Sequence, residues 1–481
     1  MTPIPYVDVP AVRDSFTIRD VTVVDVRDGT TVPHRDVRVV GAMIISIDAA
    51  DPRPAENGDV DGAGQFLVPG FVDSHTHTLN TPAAADASYA LMLANGIVGF
   101  RQMSGSPELL ADRRRGRLPS AVGAPELLST PGALLTPLNA ATPAAATSEV
   151  RAQHEQGADF IKAGMTQHDG FMAALTEANR LGIPFAGHLP GDVDPRDAAR
   201  HGIRCIEHIG PGATVYTAAS SRESELRSRP QKSLRIPNIT IPGIDRIAGA
   251  FISRLVVNPA VVTSTSAAET LHSADISYDE QKAIELAELF VANQTWQCPT
   301  LIRLHTQQFP ASPEHQNDPR QRYIAADEIK RWRKATRKFE KLPEPTRVAL
   351  QSHWDAQLRM TKVFADAGVP MIAGTDANGA GWVIPGFALH DEFDLLASAG
   401  LSPLKILQMA TSDAARFFGR HSGHGHLAAG YGADMVLVRR DPLVHPEALH
   451  EIAGVGRGGS YWNRSELDAI LSRLEARPSA R

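Results

Sequence analysis

The segment Phe71-Val72-Asp73-Ser74-His75-Thr76-His77 sets two imidazoles two residues apart at the end of an apolar run. In an extended strand alternate side chains share a face, so His75 and His77 can converge on one metal ion. Such a pair also occurs in ordinary loops, and its weight here comes from what recurs elsewhere. His188 closes Pro184-Phe185-Ala186-Gly187-His188, His208 closes Cys205-Ile206-Glu207-His208, and Asp376 closes Pro370-Met371-Ile372-Ala373-Gly374-Thr375-Asp376. Each ends a short apolar stretch and precedes turn-forming sequence. Imidazole and carboxylate donors together suit zinc, manganese, iron, cobalt or nickel. Lys162 ends a similar stretch, Asp159-Phe160-Ile161-Lys162. Burial there lowers a lysine's pKa. The neutral amine can then add CO2 and become a carbamate, an anionic ligand whose two oxygens suit the bridging of two metal ions.

To bring these side chains together, the chain must end several strands at one place. Eight apolar segments alternate with helical ones through its middle: 66–74, 97–102, 126–130, 159–163, 184–188, 204–208, 295–301 and 370–375. Gly182, Gly202 and Gly368 follow helical stretches, as glycine does at helix ends. Continuous apolar strands alternating with helices imply a parallel sheet covered on both faces. Eight such units predict an α/β fold, a (β/α)8 TIM-type barrel, whose carboxyl-end mouth would gather all six residues. Short alternating segments at 16–26, 36–40, 43–47 and 433–438 predict a small β-sandwich built from both chain ends. The expected division is sandwich at 1–64, barrel at 65–420 and sandwich again at 421–481. Residues 217–279 are too long for a simple connection and are expected to form a helical cap or lid. Residues 140–147 read as a loop, and the basic stretch 320–341 as a solvated helix.

Composition narrows the function classes. A hydrophobic fraction of 43% supports a sizeable core. The 48 Lys and Arg against 54 Asp and Glu leave a formal charge of −6, which gives no general attraction for nucleic acid or anionic membrane. No run of 18 apolar residues occurs, and the first 13 residues lack a secretory pattern. Cys205 and Cys298 are too few for a disulfide framework. A cytoplasmic enzyme acting on a small molecule is the expectation, homo-oligomeric, with no nucleic-acid or membrane partner.

The motifs resemble the amidohydrolase superfamily, and within it the imidazolonepropionase-like branch that includes Xaa-Pro dipeptidase-type enzymes. The matching elements are Pro69 to His77, the Asp159–Lys162 stretch, Ile206-Glu207-His208 and Ala373-Gly374-Thr375-Asp376. His390-Asp391-Glu392-Phe393 and Gly430-Tyr431-Gly432-Ala433-Asp434 continue the likeness downstream. The resemblance implies that His75, His77 and Asp376 bind one divalent ion and His188 and His208 a second. A CO2-derived carbamate on Lys162 would bridge the two, with zinc the expected metal. One departure is Gln102 in Phe100-Arg101-Gln102, where relatives often carry an aspartate after the arginine.

A hydroxide shared by two such ions would attack a carbonyl, and Asp376 would carry its proton to the leaving group. The expected reaction is hydrolysis of an amide or peptide bond in a dipeptide or N-acyl amino acid. A mononuclear deaminase and a lactone or ester hydrolase are the alternatives on the same barrel, and a scaffold that has lost catalysis is a third. Tyr216, Arg303 and His305 follow the sixth and seventh strands and are candidates to touch substrate. His390 and Glu392 read as supporting or substrate-facing residues, or as helix-capping ones. His421, His424 and His426 read as a connecting loop, since no carboxylate or cysteine accompanies them.

Overall fold

The computed structural model describes residues 15–52, 58–121, 123–229 and 257–476. At the N-terminal end lie β1 (Ser15–Val24), β2 (Thr31–Val40), β3 (Met43–Ala49), β4 (Val60–Asp61) and β5 (Phe66–Pro69). The middle holds β6 (Phe71–Thr76), β7 (Ile97–Gln102), β8 (Glu126–Ser129), β9 (Ile161–Ala163), β10 (Phe185–Gly187), β11 (Cys205–Glu207) and β12 (Trp296–Cys298). Near the C-terminus come β13 (Met435–Val438), β14 (Ile452–Arg457) and β15 (Ser460–Asn463).

Strands from both chain ends share one eight-stranded sheet, ordered β15-β14-β13-β5-β1-β2-β3 with β4 beside β1. Hydrogen bonding therefore joins strands of both chain ends in a single sheet. Its alternating residues Phe16, Ile18, Val37, Val39, Leu67, Met435 and Leu437 form a core of their own. The expected continuous strand at 66–74 breaks at Gly70. Before it, β5 pairs with β1 and β13; after it, β6 pairs in parallel with β7.

The middle strands form two parallel sheets, β6-β7-β8 and β9-β10-β11-β12. Single parallel bridges link them: Pro131 with Phe160 on one side, and Gln297 with Met371 and Thr76 with Ala377 on the other. The expected eighth strand at 370–375 thus makes bridges without forming a regular ladder. Met103, Phe160, Ala186, Cys205, Trp296, Cys298 and Ile372 converge in one apolar cluster, with Val72 packed on it. Consecutive segments around the two sheets supply these residues, so the arrangement is barrel-like.

Helices separate the strands as the alternation requires. Pro82–Ala94 follows β6, His168–Leu181 follows β9, and Glu344–Asp366 precedes the 370–376 segment. Gly182 ends its helix in the left-handed conformation, at φ 71°, which glycine reaches without a Cβ penalty. Two local expectations change. Residues 140–147 do not remain a loop: Thr142 accepts a hydrogen bond from the Ala145 amide and Pro143 opens a helix running to Glu155. The apolar run at 295–301 ends as a strand at Cys298, and Leu301 begins a helix. Of the 217–279 segment, the helices Glu223–Ser228 and Thr265–Ile276 are seen, and 230–256 lie outside the described residues. The basic stretch forms the helix Ala326–Glu340. No described helix is long and apolar enough to cross a membrane.

A Cβ on Gly70 would lie 2.5 and 2.7 Å from the methyl carbons of Val98, closer than real contacts allow. Gly70→Ala should therefore lower stability by about 1–3 kcal/mol through overpacking where the chain passes between sheets. Urea unfolding followed by circular dichroism measures this, and an unchanged midpoint would contradict the packing described.

Candidate metal centre

Four imidazoles stand in a row. Ring centroids lie 5.8 Å apart between His77 and His75, 4.7 Å between His75 and His208, and 5.0 Å between His208 and His188. Asp376 faces them from the end of the eighth segment, its Oδ1 2.9 Å from His77 Nε2 and 3.5 Å from His75 Nε2. Ligand atoms of His75, His208 and Asp376 all fall within 4.8 Å of one another. Lys162 pairs in register with Ala186 and is buried, and its Nζ has no hydrogen-bond partner. Its charge acts on both His77 and His188. The structure thus brings together all six residues expected to hold metal.

Neighbours of the row fix which nitrogen of each ring is free. His75 Nδ1 lies 2.7 Å from Glu207 Oε2, an ionised acceptor, so Nδ1 carries the proton and Nε2 keeps its lone pair. Ser104 Oγ donates to Asn80 Oδ1 at 2.6 Å, which leaves it to accept from His77 Nδ1 at 2.8 Å. Thr300 Oγ1 donates to the Pro299 carbonyl at 2.7 Å and accepts from His208 Nδ1 at 2.5 Å. Three rings therefore turn an unprotonated Nε2 toward the centre, the form a metal ligand needs.

Electrostatics agree with that assignment. Burial holds His77 below its usual range and His188 and His208 well below it, so these rings are neutral at pH 7. Burial alone would raise Asp376, but the Arg303 guanidinium beside it holds its carboxyl well below the usual range. Burial brings Lys162 down to about 8. Burial likewise opposes the charge of Glu207, yet Arg101, Lys162 and His75 keep it ionised. These donors, neutral imidazoles and an ionised carboxylate beside an unpartnered amine, fit divalent metal ions.

Sequence reasoning left several supports unassigned. Arg101 donates from Nε to the Ser74 carbonyl at 2.6 Å and from a terminal nitrogen to Glu207 at 2.8 Å. Gln102, the departure noted above, accepts from the Leu79 amide and donates to the Ser104 carbonyl, and so braces the turn after His77. Asp73 accepts from Thr375 Oγ1 at 2.7 Å, which ties β6 to the segment carrying Asp376. Glu207 had a local signal, a carboxylate inside an apolar strand. Ser104 and Thr300 had none.

The three substrate candidates separate. Arg303 is buried and ion-pairs with Asp376 through Nε. Tyr216 packs edge-on against His353, with centroids 4.2 Å apart, and lines a small cavity with Asp275 and Arg359. His305 contacts His315, Phe309 and Trp354. Tyr216 and His305 thus have their described contacts outside the row. His390 is buried against Phe71, and its Nε2 donates to the Asn95 carbonyl at 3.0 Å. Glu392 caps a helix other than its own: its Oε2 accepts from the Ile302 amide at 2.8 Å, at the start of Leu301–Gln308. Of the downstream histidines, His424 lies 3.8 Å from Asp434, and no metal cluster includes any of the three among the described residues. Cys205 and Cys298 are buried and unpaired.

Residues 351–460 match the amidohydrolase family. Two curated relatives are similar over shorter stretches. An isoxanthopterin deaminase of an unknown prokaryotic organism is 35% identical over 105 residues, 21% of this chain and 20% of the relative. Adenine deaminase 2 of Rhizobium meliloti (strain 1021) is 32% identical over 185 residues, 35% of this chain and 31% of the relative. Only a fifth to a third of each relative's length is therefore matched. Among solved structures, bottromycin amidohydrolase aligns with a TM-score of 0.67 and 22% identity, covering 98% of this chain and 91% of its own. A Xaa-Pro dipeptidase with bound methionine in its active site aligns with a TM-score of 0.61 and 16% identity, covering 93% and 100%. The fold shared with these two structures thus extends across nearly the whole chain, beyond the segment that matches the family.

Two outcomes follow from the buried acids. Burial raises Glu392 from an ordinary 4.5 to about 8. The unfolded carboxyl is then deprotonated while the folded one still holds its proton, so between those values stability falls as pH rises. Glu392→Gln keeps the acceptor without the charge, and its stability relative to wild type should rise by up to about 1.4 kcal/mol per pH unit across that window. Thermal melts of both proteins from pH 5 to pH 8 measure the difference, and parallel curves would contradict it. Glu207→Ala should cost about 3–5 kcal/mol, because it leaves Arg101 buried and unpaired. Denaturant unfolding of the variant tests that value.

Proposed function

We propose that the protein is a metal-dependent amidohydrolase that cleaves an amide or peptide bond of a small molecule, within a closed (β/α)8 barrel. The observation that carries this reading is Lys162, buried and without a hydrogen-bond partner beside four converging imidazoles and Asp376. An amine brought down to about 8 is neutral often enough at working pH to form a carbamate. His75, His77 and Asp376 would hold one divalent ion and His188 and His208 a second, with carbamylated Lys162 between them. Zinc suits this donor set, and manganese, iron, cobalt or nickel could replace it. Bound there, the ions would supply a water acidic enough to attack near neutral pH and positive charge for the carbonyl oxygen.

The chain's own groups account for the rest. Asp376, ionised and at the centre, accepts the proton of the attacking water and returns it to the leaving nitrogen. An amine cannot leave as an anion, so this transfer decides whether the bond breaks. Arg303 keeps Asp376 ionised and presents a guanidinium beside the reacting groups, which suits a substrate carboxylate. A dipeptide or an N-acyl amino acid carries that carboxylate next to the scissile bond. The fold shared with bottromycin amidohydrolase and a Xaa-Pro dipeptidase is consistent with this class.

A second reading is deamination on the same barrel, favoured by the partial matches to two deaminases. That chemistry needs one ion and gives Lys162 no role. Lys162→Ala separates the two. The binuclear reading expects loss of about one metal per chain and most turnover of Xaa-Pro dipeptides or N-acyl amino acids. Full metal content and retained turnover of a purine or pterin substrate would replace it with the deaminase. Metal analysis together with a substrate panel on both proteins makes the measurement.

A further inference from the structure

The helix Leu301–Gln308 serves two places. Arg303, on its first turn, reaches Asp376. His305 follows two residues later, about 200° around the helix axis at 3.6 residues per turn, and so projects toward a different neighbourhood. There its Nδ1 lies 3.1 Å from Nε2 of His315, on the short helix Pro313–Gln316. A Glu314 carboxylate oxygen joins them, and the three ligand atoms all lie within 4.8 Å of one another.

We propose that His305, Glu314 and His315 form a second, separate binding site for a divalent transition-metal ion, with zinc the best fit and water in the remaining positions. Two nitrogens bound tetrahedrally to zinc at about 2.0–2.1 Å stand about 3.3–3.4 Å apart, close to the separation seen here. His305 is clamped between Phe309 and Trp354, at centroid distances of 4.9 and 5.0 Å, so its ring direction is set before any ion arrives. His315 is buried, His305 partly so, and Glu314 is exposed, which leaves an entry path on the carboxylate side. Burial also lowers both imidazoles, His315 to about 4, and keeps their lone pairs available at neutral pH. The competing account is a plain hydrogen bond between the two rings, in which one nitrogen donates to the other.

Metal counting decides between them. The full-length protein, His305→Ala/His315→Ala and Glu314→Gln would each be saturated with Zn2+, desalted and analysed for metal per chain, with calorimetric Zn2+ titration alongside. The proposal expects the double variant to lose one equivalent relative to wild type, together with one calorimetric phase. Glu314→Gln changes an exposed side chain and should weaken that same phase, which gives an arm independent of how well the double variant folds. Wild-type stoichiometry in a folded double variant would overturn the proposal in favour of the plain hydrogen bond. So would a Glu314→Gln titration superimposable on wild type.

Discussion

Glu207 is a carboxylate with no exposure to solvent, and an uncompensated charge in such a place costs several kcal/mol. Its compensation comes from two directions: the guanidinium of Arg101 at 2.8 Å and the ring of His75 at 2.7 Å. Arg101 in turn is sealed between the rings of Phe160 and Phe417, with nowhere else to place its charge. This pairing fixes the tautomer of His75 and thereby the direction of its free lone pair. It also sets a negative charge near Lys162 without giving that amine a hydrogen bond. The centre is therefore organised from behind, by groups buried away from solvent.

Backbone conformation carries a comparable load. His208, Thr300 and Asp376 all adopt left-handed φ values, 59°, 49° and 64°, which residues with a Cβ rarely take. Each such position costs of order 1–3 kcal/mol and persists only where surrounding contacts hold it. Here the holding contacts are visible. Thr300 binds His208 through its hydroxyl, and the Asp376 amide donates to the His75 carbonyl at 2.7 Å. Turning the chain sharply at a strand end aims the side chain across the mouth instead of along the strand. At His208 and Asp376 the strained backbone and the approach of the side chain to the row go together.

Strand ends and helix starts also explain how Arg303 arrives beside Asp376. The segment at 295–301 leaves β12 early and enters a helix at Leu301, where Glu392 accepts from the second amide. A neutral, buried carboxyl at that point holds the helix without adding charge near the ions' expected seats. A longer strand would have directed Arg303 elsewhere.

The six candidate ligands were legible in the sequence because they sit at the ends of five apolar runs, and strand periodicity is a local property. His75, His77, Lys162, His188, His208 and Asp376 all converge as that pattern and the family resemblance implied. Local pattern also erred where neighbours outside the window decide: Gly70 divides one apolar run between two sheets, and Thr142 with Pro143 turns a loop-like stretch into a helix. What only the tertiary structure decided are pairings across great separations, 132 residues for His75 with Glu207, 106 for Arg101 with Glu207, and 92 for His208 with Thr300. The division of Tyr216, Arg303 and His305 among three neighbourhoods belongs there too. A sequence window records which side chains share a strand face. Which distant side chain closes over that face depends on how the strands pack, and packing is a property of the whole chain.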